Sequence, residues 1–268
     1  MNRRDFVAGS VGASLVPTLG QAPASGQTPV APATAGKPQL LELRRIHLRQ
    51  GQMVTRYQEY AKSALVPALN RAGVKPVGAF TVSVGPDSPT VYLLLPHSSG
   101  ESMLTLTSRL NDDAEYQKIG AAFRALPASD PPYLRRESSL MTTFAGAPTL
   151  DVPSGPNAVA SRVFELRTYE SHNDRAGAKK IEMFEKGEFP IFKRAGLTWV
   201  FFGKNVVGAG LPSLTYMLVF PNLAAYDKAW ATFREDPDWV KLRGLPEYTD
   251  IVSTIHNALL RPTDYSQI

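Results

Sequence analysis

Apolar and polar residues alternate over residues 40–48, the period of a strand with two unlike faces. Gly51 interrupts the pattern. Met53, Tyr57, Tyr60, Ala61, Ala64, Leu65, Ala68 and Leu69 then recur at helical spacing, which predicts a helix with one apolar stripe lying on a sheet face. Ala72-Gly73 ends it, because Gly73 can take the left-handed cap conformation. Residues 77–84 and 90–95 read as strands joined by the turn-rich Gly85-Pro86-Asp87-Ser88. Residues 101–125 read as one or two helices broken near Asn111-Asp112-Asp113, and residues 138–144 as a closing strand.

The same order then runs again. Residues 163–169 predict a strand. A helix follows over residues 175–195, with Gly196 at its C-cap and a kink or a restart at Pro190. Residues 198–204 and 213–220 predict paired strands with Gly208, Gly210 and Pro212 between them. A helix over residues 224–233 precedes a second one that Asp236-Pro237-Asp238-Trp239 starts, and residues 247–260 predict the last strand. The repetition reaches single residues. Glu42-Leu43-Arg44 returns as Glu165-Leu166-Arg167, Pro67 as Pro190 and Ala72-Gly73 as Ala195-Gly196, each 123 positions later. The fold class is therefore α+β: two tandem ferredoxin-like β-α-β-β-α-β units, residues 39–146 and 160–268. In each unit the helices cover one sheet face and the other still needs cover, so the units are expected to pack sheet to sheet as an intramolecular α+β barrel. Strand edges exposed at its seams would offer a route to self-association. Residues 145–160, rich in Pro and Gly, read as a linker.

The N-terminus changes the picture from fold to address. Arg3-Arg4 and Phe6 precede a short, weakly apolar run, and Ala22-Pro23-Ala24 supplies small residues for cleavage. Residues 1–24 thus read as a signal peptide of the twin-arginine type, with an alternative cut after Ala35. The expected location is periplasmic or extracellular. Its apolar run is too short and too interrupted to span a membrane. Residues 25–38 hold almost no large apolar side chain and read as a disordered linker.

Composition narrows the chemistry. The chain has 268 residues, 43% hydrophobic and 20% charged, ordinary for a soluble globular protein. The net charge of +5 is spread without a dense basic stripe, which argues against a nucleic-acid surface. With no cysteine, disulfides, thiolate metal sites and thiol nucleophiles are excluded.

Several phrases in the second unit resemble the NIPSNAP family. They are Phe164-Glu165-Leu166-Arg167-Thr168-Tyr169, the run from Phe189-Pro190 to Ala195-Gly196, Tyr216-Met217-Leu218-Val219-Phe220 with Leu223-Ala224-Ala225-Tyr226-Asp227, and Asp236-Pro237-Asp238-Trp239. The resemblance covers about residues 162–260. The first unit keeps Glu42-Leu43-Arg44 and the Pro67 helix but sets Asp112-Asp113 where Asp236-Pro237 stands, without a following Trp, and reads as a diverged copy. The resemblance implies a fold similar to dimeric α+β barrel proteins, among them small monooxygenases and haem enzymes. It implies no catalytic set, so no catalytic residue is carried over. The expected function is an exported α+β barrel with a binding or structural role. The alternative is a small oxygenase-like or haem-using enzyme acting on a small hydrophobic or anionic substrate.

The candidate site follows from strand periodicity. Glu165, Arg167 and Tyr169 share one face of their strand, and Phe164, Leu166 and Thr168 the other. The apolar set is assigned to the helices. Glu42, Arg44, Glu165, Arg167 and Tyr169 are then expected inside the barrel, as a polar cavity or as salt bridges joining the halves. Of the four histidines, His256 and His47 fall in strands and are the candidates to ligate haem or another ligand, although no cofactor is predicted. No spacing suggests a metal site. A small-molecule ligand and self-association are the expected partners, with no nucleic acid and no membrane span.

Overall fold

The computed structural model describes residues 37–154 and 161–268. The signal segment 1–24, both cleavage sites, residues 25–36 of the tether and residues 155–160 of the linker lie outside the described residues. Eight strands carry the fold: β1 (Leu40–His47), β2 (Gly78–Val84), β3 (Thr90–His97), β4 (Arg135–Thr143), β5 (Val163–Glu170), β6 (Thr198–Val207), β7 (Ser213–Phe220) and β8 (Thr254–Pro262). They close into one barrel in the order β1-β3-β2-β8-β5-β7-β6-β4. Each half contributes four consecutive strands of that ring. The halves join at their edges, β2 to β8 and β4 to β6. All eight described strands are paired on both sides, so the exposed seam edges expected from the sequence are absent: closure consumes them.

Closure also decides where the apolar residues go. Leu41, Leu43, Phe80, Leu94 and Met141 of the first half meet Phe164, Leu166, Phe201, Met217 and Leu260 of the second in one interior cluster. Ile268 joins them, carried in by a strap in which Gln267 N–H donates to Val77 C=O at 2.9 Å. The outer wall of each half is covered by its own helices, giving two further clusters. Both faces of the wall are therefore buried.

The first helical layer runs α1 (Gln52–Tyr60), a π-helical turn (Ala61–Leu65) and α2 (Val66–Arg71). The second runs α7 (Asp174–Met183), a π-helical turn (Phe184–Glu188) and α8 (Phe189–Ala195). Pro67 and Pro190 each stand second in the helix that follows the widened turn. A proline has no N–H to give and crowds the carbonyl one turn back, and the π turn accommodates both defects. Of the kink or restart expected at Pro190, the structure has the restart: α8 begins at Phe189 with Pro190 in its first turn.

Between α2 and β4 come α3 (Gly100–Leu104), α4 (Leu106–Asn111), α5 (Ala114–Ile119) and α6 (Ala121–Arg124), four short helices in place of the expected one or two. The second half answers with α9 (Leu223–Glu235), α10 (Pro237–Arg243) and a 3-10 turn (Pro246–Tyr248). That turn takes the start of the segment read as the last strand, which begins only at Thr254. Asp113 caps α5 and pairs with Arg71 at 2.8 Å, and Asp236 caps α10 and pairs with Arg194 at 2.9 Å. Both members of the two pairs lie 123 positions apart. Asp113 is thus the counterpart of Asp236, one position from the sequence alignment above.

Candidate functional site

The structure reverses the expected orientation of the candidate charges. Phe164 and Leu166 point into the barrel, in the shared interior cluster. Glu165, Arg167 and Tyr169 face the helices, where Trp230 Nε1 on α9 donates to Glu165 Oε2 at 2.7 Å. Leu41 and Leu43 likewise fill the interior, and Glu42 and Arg44 lie on the outer wall beneath the first-half helices. The four charges do not meet between the halves; each pair stays within its own half. Periodicity fixes which residues share a face, not which face is the inside. A closed barrel buries both, and its crowded interior takes the branched and aromatic side chains.

On the second-half outer wall, Glu165 is fully buried and Arg167 Nη1 donates to its Oε1 at 2.7 Å. Arg167 Nε donates to Tyr169 Oη at 3.2 Å, and that hydroxyl bonds the Tyr216 hydroxyl at 2.9 Å. The guanidinium lies 4.8 Å from the Trp230 ring centre and 5.5 Å from that of Tyr169. Beside it, Lys180 on α7 pairs with Glu188 of the π turn, both buried. Lys180 Nζ also lies 4.3 Å from the centre of the Phe184 ring. Burial pushes the Glu188 carboxyl above its ordinary value, against the pull of Lys180.

These side chains floor a pocket of about 540 Å³ between β5, β8 and the helical layer. Phe192, Tyr226, Trp230, Phe233, Trp239 and Tyr248 supply aromatic walls, and Arg234, Arg243 and Asp250 complete the charged lining. Four cationic side chains against two carboxylates, Glu188 and Asp250, bias the pocket toward an anion. Arg167 Nη2 has no hydrogen-bond partner among the described residues and is available to a ligand. The candidates Arg167 and Tyr169 belong to this pocket, with Glu165 behind them. Lys180 and Glu188 escaped the sequence reading. Their signal was there: 123 positions earlier stand Tyr57 and Leu65, so a buried ion pair replaces two residues of the apolar stripe.

In the first half, Glu42 accepts from Arg44 Nε at 2.6 Å and Nη2 at 3.0 Å, and from the Ser138 hydroxyl at 2.7 Å. His97 Nε2 lies 3.0 Å from its other oxygen. Burial alone would raise this carboxyl, but the hydrogen bonds from His97, Arg44 and Ser138 and the Arg44 charge outweigh it and hold the pKa at about 2.

The candidate histidines lie elsewhere. His256 is half exposed, with Nε2 3.0 Å from Glu170 Oε1. It lines a cavity of about 400 Å³ at the barrel mouth with Arg45, Tyr92 and Asn205, and none of the five candidate polar residues reaches that cavity. His47 is buried, with Nε2 3.3 Å from Glu137 and Nδ1 3.4 Å from the Thr90 hydroxyl. Neither histidine lines the aromatic pocket. Among the described residues, no group of three His, Cys, Asp or Glu side chains could hold a metal ion, and no helix is long and apolar enough to cross a membrane.

Comparison with known proteins bears on the fold and on the second half. No curated protein matches the sequence. A crystal structure from Lactobacillus acidophilus, of a protein provisionally named a monooxygenase, is 11% identical with a TM-score of 0.53 and covers 84% of this chain and 94% of its own. A protein from Fusobacterium nucleatum with the same provisional name is 9% identical with a TM-score of 0.54, covering 84% of this chain and 93% of its own. At these identities the likeness is one of fold alone. A NIPSNAP family protein of unknown function from Agrobacterium tumefaciens is 20% identical with a TM-score of 0.37, and covers 40% of this chain and 94% of its own. Residues 164–267, the C-terminal part of this α+β barrel, match the model of the NIPSNAP family.

Proposed function

We propose that the chain is a small-molecule-binding protein whose second-half pocket takes a flat, two-ring organic anion. One observation carries the reading: the Arg167 guanidinium lies among aromatic rings at the floor of a pocket of about 540 Å³, with Nη2 unpartnered among the described residues. That volume lies within the range of small-molecule sites. Aromatic walls favour a planar body, and a partly desolvated cation favours a carboxylate or sulfonate. The lining holds no histidine, so the haem-ligand candidates His256 and His47 lie outside it. In this reading the first half is a diverged copy of the NIPSNAP-like unit, supported by the shared 123-residue spacing of its π turn and of its capped helix pair. Export by the twin-arginine route is part of the same proposal, supported by Arg3-Arg4 with Phe6 and by the absence of cysteine.

Titration with 1-naphthoate, followed by quenching of tryptophan fluorescence, tests the reading. The expected result is saturable binding, at least about tenfold weaker for the neutral 1-naphthamide, since hydrogen bonds to charged groups are the stronger ones. Equal binding of acid and amide, or none of either, would overturn it.

A further inference from the structure

The first half has a cavity where the second half has its pocket, and its chemistry differs. It measures about 270 Å³, half the size of the other, and Arg44 lines it as Arg167 lines the larger one. Its charged lining residues are Arg44, Arg124 and Arg136, with no carboxylate among them. The one carboxylate close behind, Glu42, is already engaged by Arg44, His97 and Ser138. Tyr57 stands at the position of Lys180. It is 2% exposed, and its hydroxyl has no hydrogen-bond partner among the described residues. A buried hydroxyl without a partner costs stability. The neighbouring phenols do not satisfy it: Tyr60 and Tyr116 bond each other at 2.6 Å. Tyr60 stacks on Phe123 with centroids 4.0 Å apart and planes at 9°, which makes a flat apolar wall.

We infer that this cavity is a second, independent ligand site that binds a one-ring aromatic carboxylate. The ring lies along the Tyr60–Phe123 wall. The carboxylate accepts a hydrogen bond from the Tyr57 hydroxyl and faces Arg44, whose Nη1 is not used by Glu42. The cavity has half the volume of the other pocket, which favours a one-ring over a two-ring anion. One chain would then carry two anion sites of different size selectivity, built on equivalent positions.

Calorimetric titration with benzoate tests this on the wild-type protein, Tyr57→Phe and Ile255→Trp. The last fills the mouth of the second-half pocket, where Ile255 is half exposed. Tyr57→Phe removes only the unpartnered hydroxyl, so its melting temperature without ligand should equal or exceed that of the wild type. The expected result is a benzoate site that Tyr57→Phe weakens about tenfold or more, that Ile255→Trp leaves intact, and that benzamide does not occupy. Unchanged benzoate binding in Tyr57→Phe, or equal binding of benzamide, would overturn the inference. A single site abolished by Ile255→Trp alone would also overturn it and leave the second-half pocket standing. A single site weakened by Tyr57→Phe alone would support it, and the second-half reading would still stand or fall on the 1-naphthoate titration.

Discussion

Two buried carboxylates, Glu42 and Glu165, have the same role in different surroundings. Glu42 is held by an arginine, a histidine and a serine, and its pKa of about 2 lies below the ordinary 4.5. A carboxyl with a depressed folded pKa contributes stability that is present above 4.5 and is lost as pH falls toward 2. The size is on the order of 3 kcal/mol. Thermal melts between pH 5 and pH 2 should therefore fall more steeply for the wild type than for Glu42→Gln; parallel curves would remove this role. Glu165 relies on Arg167 and the Trp230 indole. Arg167→Met would strand it, with an expected loss of about 3–5 kcal/mol in urea denaturation. An unchanged midpoint would mean that the carboxylate finds its partners without the arginine. The sequence made Glu165 and Arg167 legible as a buried pair because residues two apart in a strand share a face. It left the face itself open, because Phe164 and Leu166 suit a helix-covered wall and a barrel interior equally well.

At the level of elements, the two halves agree most closely where the backbone is unusual. Gly85 and Gly208, 123 positions apart, take φ of 149° and 150° at the ends of β2 and β6. Each abuts the neighbouring strand at a seam between the halves. A Cβ on Gly208 would come within 2.7 Å of Ser139 Oγ on β4, and one on Gly85 within 2.9 Å of Ala258 Cβ on β8. These glycines let the outermost strands turn away while the seam stays paired. Gly208→Ala should cost about 1–3 kcal/mol, read by chemical denaturation, and a cost below measurement error would contradict that role. The π turns were only half legible. Pro67 and Pro190 signalled a defect in each helix, but the choice of a widened turn over a kink depends on packing against the sheet, which no local pattern reports. Residues 101–125 were legible in part: the break expected near Asn111-Asp112-Asp113 stands between α4 and α5, whereas the further divisions at Thr105 and Gly120 carry no local signal.

For the whole molecule, closure explains why one chain holds both halves. The interior cluster draws on both, and each half alone would expose it together with two strand edges. Residues 160–268 produced alone should therefore not be monomeric; light scattering should find a dimer or larger species, with β6 and β8 pairing between copies. A stable monomer would show that the seam is dispensable. The barrel was readable from the repeat because two one-sided sheets in tandem have to cover each other. The larger pocket was not, because its floor combines Lys180, Glu188 and Arg167 from three segments, and only the folded chain brings them together. The most direct test of the central claim is a crystal structure of the protein soaked in 1-naphthoate. The account predicts the carboxylate against Arg167 and the rings among Trp230, Phe233 and Tyr226; an empty second-half pocket at saturating ligand, or density only in the barrel mouth, would contradict it.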